Sequence, residues 1–145
     1  MPQLPQIRQA DNGLEIFDIV RKRYVALTPE EDVRQAVIRF LHGKKGYPLE
    51  LIQVEGTITL NGMTKRCDIV VYGKGMKAKV IVECKRPKVA LTQKVLDQAC
   101  RYNTVLQVPY LVLSNGEQML VLKITDTKTI EPLSTLPDWE QLKNS

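Results

Sequence analysis

The chain has 145 residues, 43% hydrophobic and 26% charged, enough for one domain with a buried core. No apolar run reaches the roughly 18–20 residues that span a bilayer, and residues 1–6 lack the basic and apolar stretches of a signal peptide, so no membrane association is expected. Three cysteines without CxxC spacing (Cys67, Cys84, Cys100) and a single histidine, His42, exclude a disulfide framework, a zinc site and a Ser-His-Asp triad, and fit a reduced, cytoplasmic setting.

Residues 1–13, with two prolines and Asp11-Asn12-Gly13, read as a loosely held arm. Residues 14–27 carry a short apolar patch and the cluster Arg21-Lys22-Arg23, without a clear period. We therefore expect an N-terminal arm or appended element over 1–27 and one domain over 28–145. Thr28 suits a helix N-cap, Pro29 the first turn and Glu31 a capping-box partner. Val33, Ala36, Val37, Phe40 and Leu41 then repeat at helical spacing up to Gly43, with His42 as a surface or capping residue.

Strand signals follow at 49–60, interrupted by Glu55-Gly56, and at 66–72 after an Asn61-Gly62 turn. A third strand is expected at 79–85, stopped by Pro87, and a second helix at 92–106 with Val95, Ala99, Tyr102 and Leu106 on one face. Two strands, 110–113 and 118–124, flank Asn115-Gly116, and the tail closes over the surface through Leu133, Leu136 and Trp139. The order predicts a mixed α/β layer architecture.

The net charge is +5, and its distribution points to a polyanionic partner. Nine Lys/Arg lie between Lys65 and Lys94, against two acids, Asp68 and Glu83. Both acids interrupt strands that are otherwise apolar, where a charge is costly unless paired or bound to a metal. Glu83 and Lys85 are two apart and leave one face of the sheet. If their strand pairs antiparallel with that of Asp68, the two carboxylates and the Cys84 carbonyl make an oxygen-rich site suited to Mg²⁺, with Lys85 placed to orient water or offset phosphorane charge. A plain salt bridge of Lys85 with either acid is the alternative. On the second helix Gln98 and Tyr102 stack four apart on the expected inner side, and a polar amide there needs a partner. On the first, Glu30 looks toward the sheet, while Glu31 points away and is accounted for by the cap.

Thr28-Pro29-Glu30-Glu31-Asp32-Val33-Arg34-Gln35, Lys65-Arg66-Cys67-Asp68-Ile69-Val70-Val71-Tyr72, Val82-Glu83-Cys84-Lys85-Arg86-Pro87, Asp97-Gln98-Ala99-Cys100-Arg101-Tyr102-Asn103 and Ser114-Asn115-Gly116 follow one another in order. This set resembles the N-terminal nuclease domain of type I restriction-enzyme restriction subunits, within the PD-(D/E)xK superfamily. The resemblance covers about Thr28 to Val121; Cys67 stands where proline often precedes the aspartate. It implies a restriction-endonuclease-like α-β-β-β-α-β core, here with an extra C-terminal strand, and Mg²⁺-dependent cleavage of DNA, Mn²⁺ substituting. It further implies Asp68, Glu83 and the Cys84 carbonyl as metal ligands, Lys85 as the catalytic lysine, Gln98 and Tyr102 contacting DNA or ordering the site, and Glu30 as the acid of the first helix.

Lys65, Arg66, Arg86, Lys88 and Lys94 are the expected DNA contacts. No Walker A sequence or base-reading module is present, so contact through the DNA backbone is expected. The reading is a nuclease standing without its own motor, with DNA, a separately encoded motor or restriction-modification subunits, and a second copy in a homodimer as expected partners. The alternatives are a structure-selective repair or junction nuclease and a non-catalytic DNA-binding or assembly module that keeps the fold.

Overall fold

The computed structural model describes residues 4–60, 62–125 and 129–144. Strands β1 (Ile7–Ala10), β2 (Gly13–Asp18) and β3 (Arg23–Ala26) form a small antiparallel sheet in that order. Helix α1 (Pro29–Arg39) follows, and then β4 (Ile52–Leu60), β5 (Met63–Tyr72), β6 (Ala78–Cys84), α2 (Gln93–Leu106), β7 (Tyr110–Ser114), β8 (Met119–Ile124), β9 (Ile130–Leu133) and a last turn, α3 (Trp139–Leu142). Strands β4 to β9 make one sheet in chain order, antiparallel except for the parallel pair β6–β7.

The parallel pair lies at the centre because its sequence is apolar on both faces. Val80, Ile81, Val82 and Leu111, Val112, Leu113 are all buried, which requires a layer on each side of the sheet. Against one face lie Val33, Val37 and Ile38 of α1, Leu41 of the π-helical turn that follows it, and Leu136 and Leu142 of the tail. Against the other lie Ala99, Cys100 and Leu106 of α2. Tyr47 anchors the tail: its ring is fully buried edge-on to Trp139, and its hydroxyl donates to the Pro137 carbonyl. The expected closure of the tail is thus present, with β9 and α3 as additions. Leu60 pairs with Met63, the register of a two-residue turn; Asn61 itself lies outside the described residues. His42 is half-buried and its Nδ1 bonds the Tyr47 carbonyl, in keeping with a capping role.

The N-terminal region departs from expectation. Residues 7–10 are a strand rather than a loose arm, and residues 13–26 complete its sheet. The alternation in β2 buries Ile16 and Asp18, and a charged residue at the second inward position conceals the period-2 pattern. Asp18 is fully buried and finds most of its hydrogen-bond donors in the turn that follows it. Its Oδ1 accepts the amides of Val20 and Arg21, and its Oδ2 accepts Arg21 Nε. Arg21 Nη2 reaches on to Glu31 Oε1 of α1 at 3.1 Å, and Gln35 Nε2 donates to Glu31 Oε2 at 3.0 Å.

Val33, Val37 and Leu41 are buried as expected, but this docking gives α1 a second buried side. Thr28 does cap Glu31, but the Glu31 side chain does not fold back to it; Glu31, Arg34 and Gln35 are buried, and Ala36, expected inside, is exposed. A helix covered by a sheet on one side and by the Asp18–Arg21 segment on another has more than one buried face. Burial by itself raises the Asp18 carboxyl, but the Arg21 and Val20 amides with the Arg21 and Gln35 side chains outweigh it and hold it below its ordinary 3.8.

Asp18→Asn is expected to cost about 2–4 kcal/mol at pH 7, since it strips the charge from a buried, hydrogen-bonded pair. Because the folded carboxyl titrates below the unfolded one, that contribution is full above the unfolded value and disappears as pH falls through the folded one. Urea unfolding across this range should show the gap between wild type and Asp18→Asn narrowing as the solution is acidified; a gap independent of pH would refute the assignment.

Candidate active site

The ladder between β5 and β6 ends at Ile69 opposite Val82. At the next rung the chain is bridged by a side chain: Asp68 Oδ2 accepts the Cys84 amide at 2.8 Å. The Asp68 carboxylate is therefore held at the peptide between Glu83 and Cys84, as antiparallel pairing of these strands predicts. Lys85 follows immediately, its amide donating to the Ser114 carbonyl of β7.

The partners of these groups differ from a simple strand-end salt bridge. Asp68 Oδ1 lies 3.6 Å from Arg34 Nη2, and Glu83 Oε1 lies 3.3 Å from Lys65 Nζ. Lys65 also stands 4.8 Å above the Tyr102 ring. Lys85 is half-buried and forms no ion pair among the described residues. Lys65, an expected DNA contact, lies against Glu83 and Tyr102 here.

Two residues outside the expected set organise the site. Arg34 is buried; its Nη1 donates to Glu55 Oε1 at 3.0 Å and lies 3.6 Å from Glu31 Oε1, while its Nε has no partner among the described residues. Glu55 stands between Val54 and Gly56, which pair with Ile69 and Cys67, so it lies across from Asp68. Its backbone adopts φ 57°, a left-handed conformation that costs a non-glycine residue about 1–3 kcal/mol. Its carboxylate also accepts from Arg66 Nη2 at 2.9 Å. The Arg34 hydrogen bond, aided by Arg66, holds Glu55 below the usual carboxylate range against the opposing effect of burial. The Glu55-Gly56 break in an otherwise regular strand was the sequence signal for this position; nothing marked Arg34, which sits among helix charges that normally face water.

Glu30 is half-buried, in the first turn of α1. Gln98 is exposed, contrary to expectation, and Tyr102 is exposed over about a third of its surface. The buried stripe of α2 runs through Ala99, Cys100, Asn103 and Leu106, which turns Gln98 outward. Asn103 takes the inner polar place, donating to the Val108 carbonyl. Gln98 and Tyr102 instead share a shallow cleft with Met63, Arg101 and Val105. Arg86 and Lys88 are exposed along the connection from β6 to α2, and Lys94 is exposed in the first turn of α2. That connection is pinned by Asn115, whose side-chain amide donates to the Val89 carbonyl.

Among the described residues, no three Asp, Glu, His or Cys side chains converge closely enough to hold a metal. The donor types still fit a hard divalent cation: two carboxylates and a main-chain carbonyl, all oxygen, beside two cationic side chains that neutralise them here.

Residues 29–137 match the family model described as the type I restriction enzyme R protein N terminus. The fold is similar to a structure described as a fragment of an HsdR subunit of a type I restriction enzyme from Vibrio vulnificus YJ016, with a TM-score of 0.57 and 22% identity over 81% of this chain. The match takes in 25% of that chain, so the present sequence spans about a quarter of its length, and at this identity the likeness speaks for the fold. No curated protein matches the chain. The family match extends over most of the sequence, from the first turn of α1 through the β9 region, and on that ground the chain belongs to the family of type I restriction enzyme R protein N termini.

Proposed function

We propose that the chain is a Mg²⁺-dependent DNA nuclease domain of the type I restriction R-subunit kind, with its site at the break between β5 and β6. The observation that carries this reading is the hydrogen bond of Asp68 to the Cys84 amide, which puts one carboxylate beside the Glu83-Cys84-Lys85 tripeptide. Asp68, Glu83 and the Cys84 carbonyl would hold the cation. The chemistry a bound Mg²⁺ supplies is neutralisation of charge on the phosphoryl group and activation of water.

The chain's own residues do the rest. Lys85, free of a competing carboxylate among the described residues, offers its ammonium to the attacking water or to the charge that builds on phosphorus. Arg86 and Lys88, exposed on the segment that follows it, and Lys94, exposed in the first turn of α2, suit the DNA backbone, giving binding that is sequence-tolerant and salt-dependent. Arg66 has a side chain 72% exposed but is shared with Glu55, so it contributes less. Partners in this reading are DNA and the motor or modification subunits of a restriction system, in a cytoplasmic setting; no helix among the described residues is long and apolar enough to cross a membrane.

The deciding experiment compares supercoiled plasmid, linear duplex, single strand and a four-way junction in Mg²⁺, Mn²⁺ and EDTA. We expect metal-dependent cutting by wild type and none by Lys85→Ala; a folded, cation-loaded protein that cuts none of these would favour a non-catalytic module. Calorimetry with Asp68→Asn and Glu83→Gln should show cation binding lost in each, and undiminished binding in both would remove the metal assignment. Single Arg86→Ala, Lys88→Ala and Lys94→Ala changes should weaken DNA binding similarly on unrelated sequences and lower the slope of log affinity against log salt by about one each; unaltered slopes would move the DNA path elsewhere.

A further inference from the structure

Asp68 and Arg34 are close without being hydrogen-bonded: 3.6 Å separates Asp68 Oδ1 from Arg34 Nη2, while the same guanidinium gives a 3.0 Å hydrogen bond to Glu55. The guanidinium is buried, so it has to satisfy itself among the carboxylates around it, and Glu55 takes the larger share. Glu55 does so from a left-handed backbone in mid-strand, a conformation that persists only where the surroundings impose it. Its second oxygen is held by Arg66 at 2.9 Å, which keeps the carboxylate turned toward both arginines.

We infer that Glu55 is a positioning residue for the site: by drawing the Arg34 guanidinium to itself, it leaves Asp68 Oδ1 outside a full hydrogen bond and open to a divalent cation. The inference rests on the cation reading of Asp68 proposed above. Both consequences of losing the Glu55 charge run the same way. Arg34 would close onto Asp68 and compete with the cation, and one negative charge near the site would be gone. The strained strand geometry then serves a purpose beyond the fold, since a regular β4 backbone would project this side chain elsewhere.

The test is calorimetric titration of Mn²⁺ into the full chain and its Glu55→Gln and Glu55→Gly variants, with thermal unfolding alongside. Affinity should fall about tenfold in both variants. Glycine accepts the left-handed backbone without strain, so Glu55→Gly guards against a loss that merely reflects misfolding. In an Arg34→Gln background the same Glu55→Gln change should have much less effect, because no guanidinium is left to release. A purely structural salt bridge would move the unfolding temperature and leave the Mn²⁺ affinity alone. Unchanged affinity in folded Glu55→Gln and Glu55→Gly overturns the inference while leaving the cation site standing, and an undiminished effect without Arg34 overturns the route through that residue. No Mn²⁺ binding by the wild-type chain overturns the site reading and this inference together.

Discussion

A single buried guanidinium ties the molecule together. Arg34 projects from α1 into a space bounded by Glu31 of its own helix, Glu55 of β4 and Asp68 of β5. Removing such a group from water costs several kcal/mol, which only close carboxylates offset, so the three elements are obliged to meet there. Glu31 passes the connection on through Arg21 to Asp18, and the small N-terminal sheet is thereby coupled to the same centre. Where nuclease chemistry is proposed, the local charge is thus set by residues on four different elements.

The sheet explains why that charge can be concentrated at one place. From Val80 in β6 and Leu111 in β7 the two strands are buried on both faces and carry no polar side chain until Glu83 and Ser114. Polar groups are therefore pushed to the ends of these strands, where the β5–β6 ladder opens and a carboxylate can replace a backbone acceptor. The connection that leaves β6 carries Lys85, Arg86 and Lys88 away from the sheet. Asn115 holds this connection against the turn after β7, so its exposed cations are not loosely tethered. Gly116 in that turn has φ 90° and approaches Val33 of α1 closely enough that a Cβ would meet its methyl group at 3.2 Å. The turn, the basic connection and α1 are consequently adjusted to one another.

Much of this was legible in the sequence. The strands around Asp68 and Glu83 were marked by apolar runs with single charged interruptions, and α1 and α2 by their caps and period. The proximity of Asp68 to the Glu83-Cys84-Lys85 segment followed from one assumption, antiparallel pairing, which the structure bears out. The faces of the helices are harder to read. Helical spacing puts Gln98 on the apolar side shared by Val95 and Ala99, but the buried stripe of α2 runs through Ala99, Cys100, Asn103 and Leu106 and leaves Gln98 exposed. Glu31 turns inward because the sheet over residues 7–26, which shows no clear period in the sequence, adds a second layer on α1.

The order of elements, the family resemblance and the identity of the residues around the Glu83-Cys84-Lys85 tripeptide can be read along the chain, because they rest on local period, turn chemistry and spacing. Which cation each carboxylate meets is settled by the packing of distant elements. Arg34 reaches Asp68, Lys65 reaches Glu83, and Glu55 enters the site from a strand position that looked like a mere interruption. The physical reason is that ion pairing depends on distance and desolvation across elements far apart in the chain, and neither quantity is written in the period of any one of them.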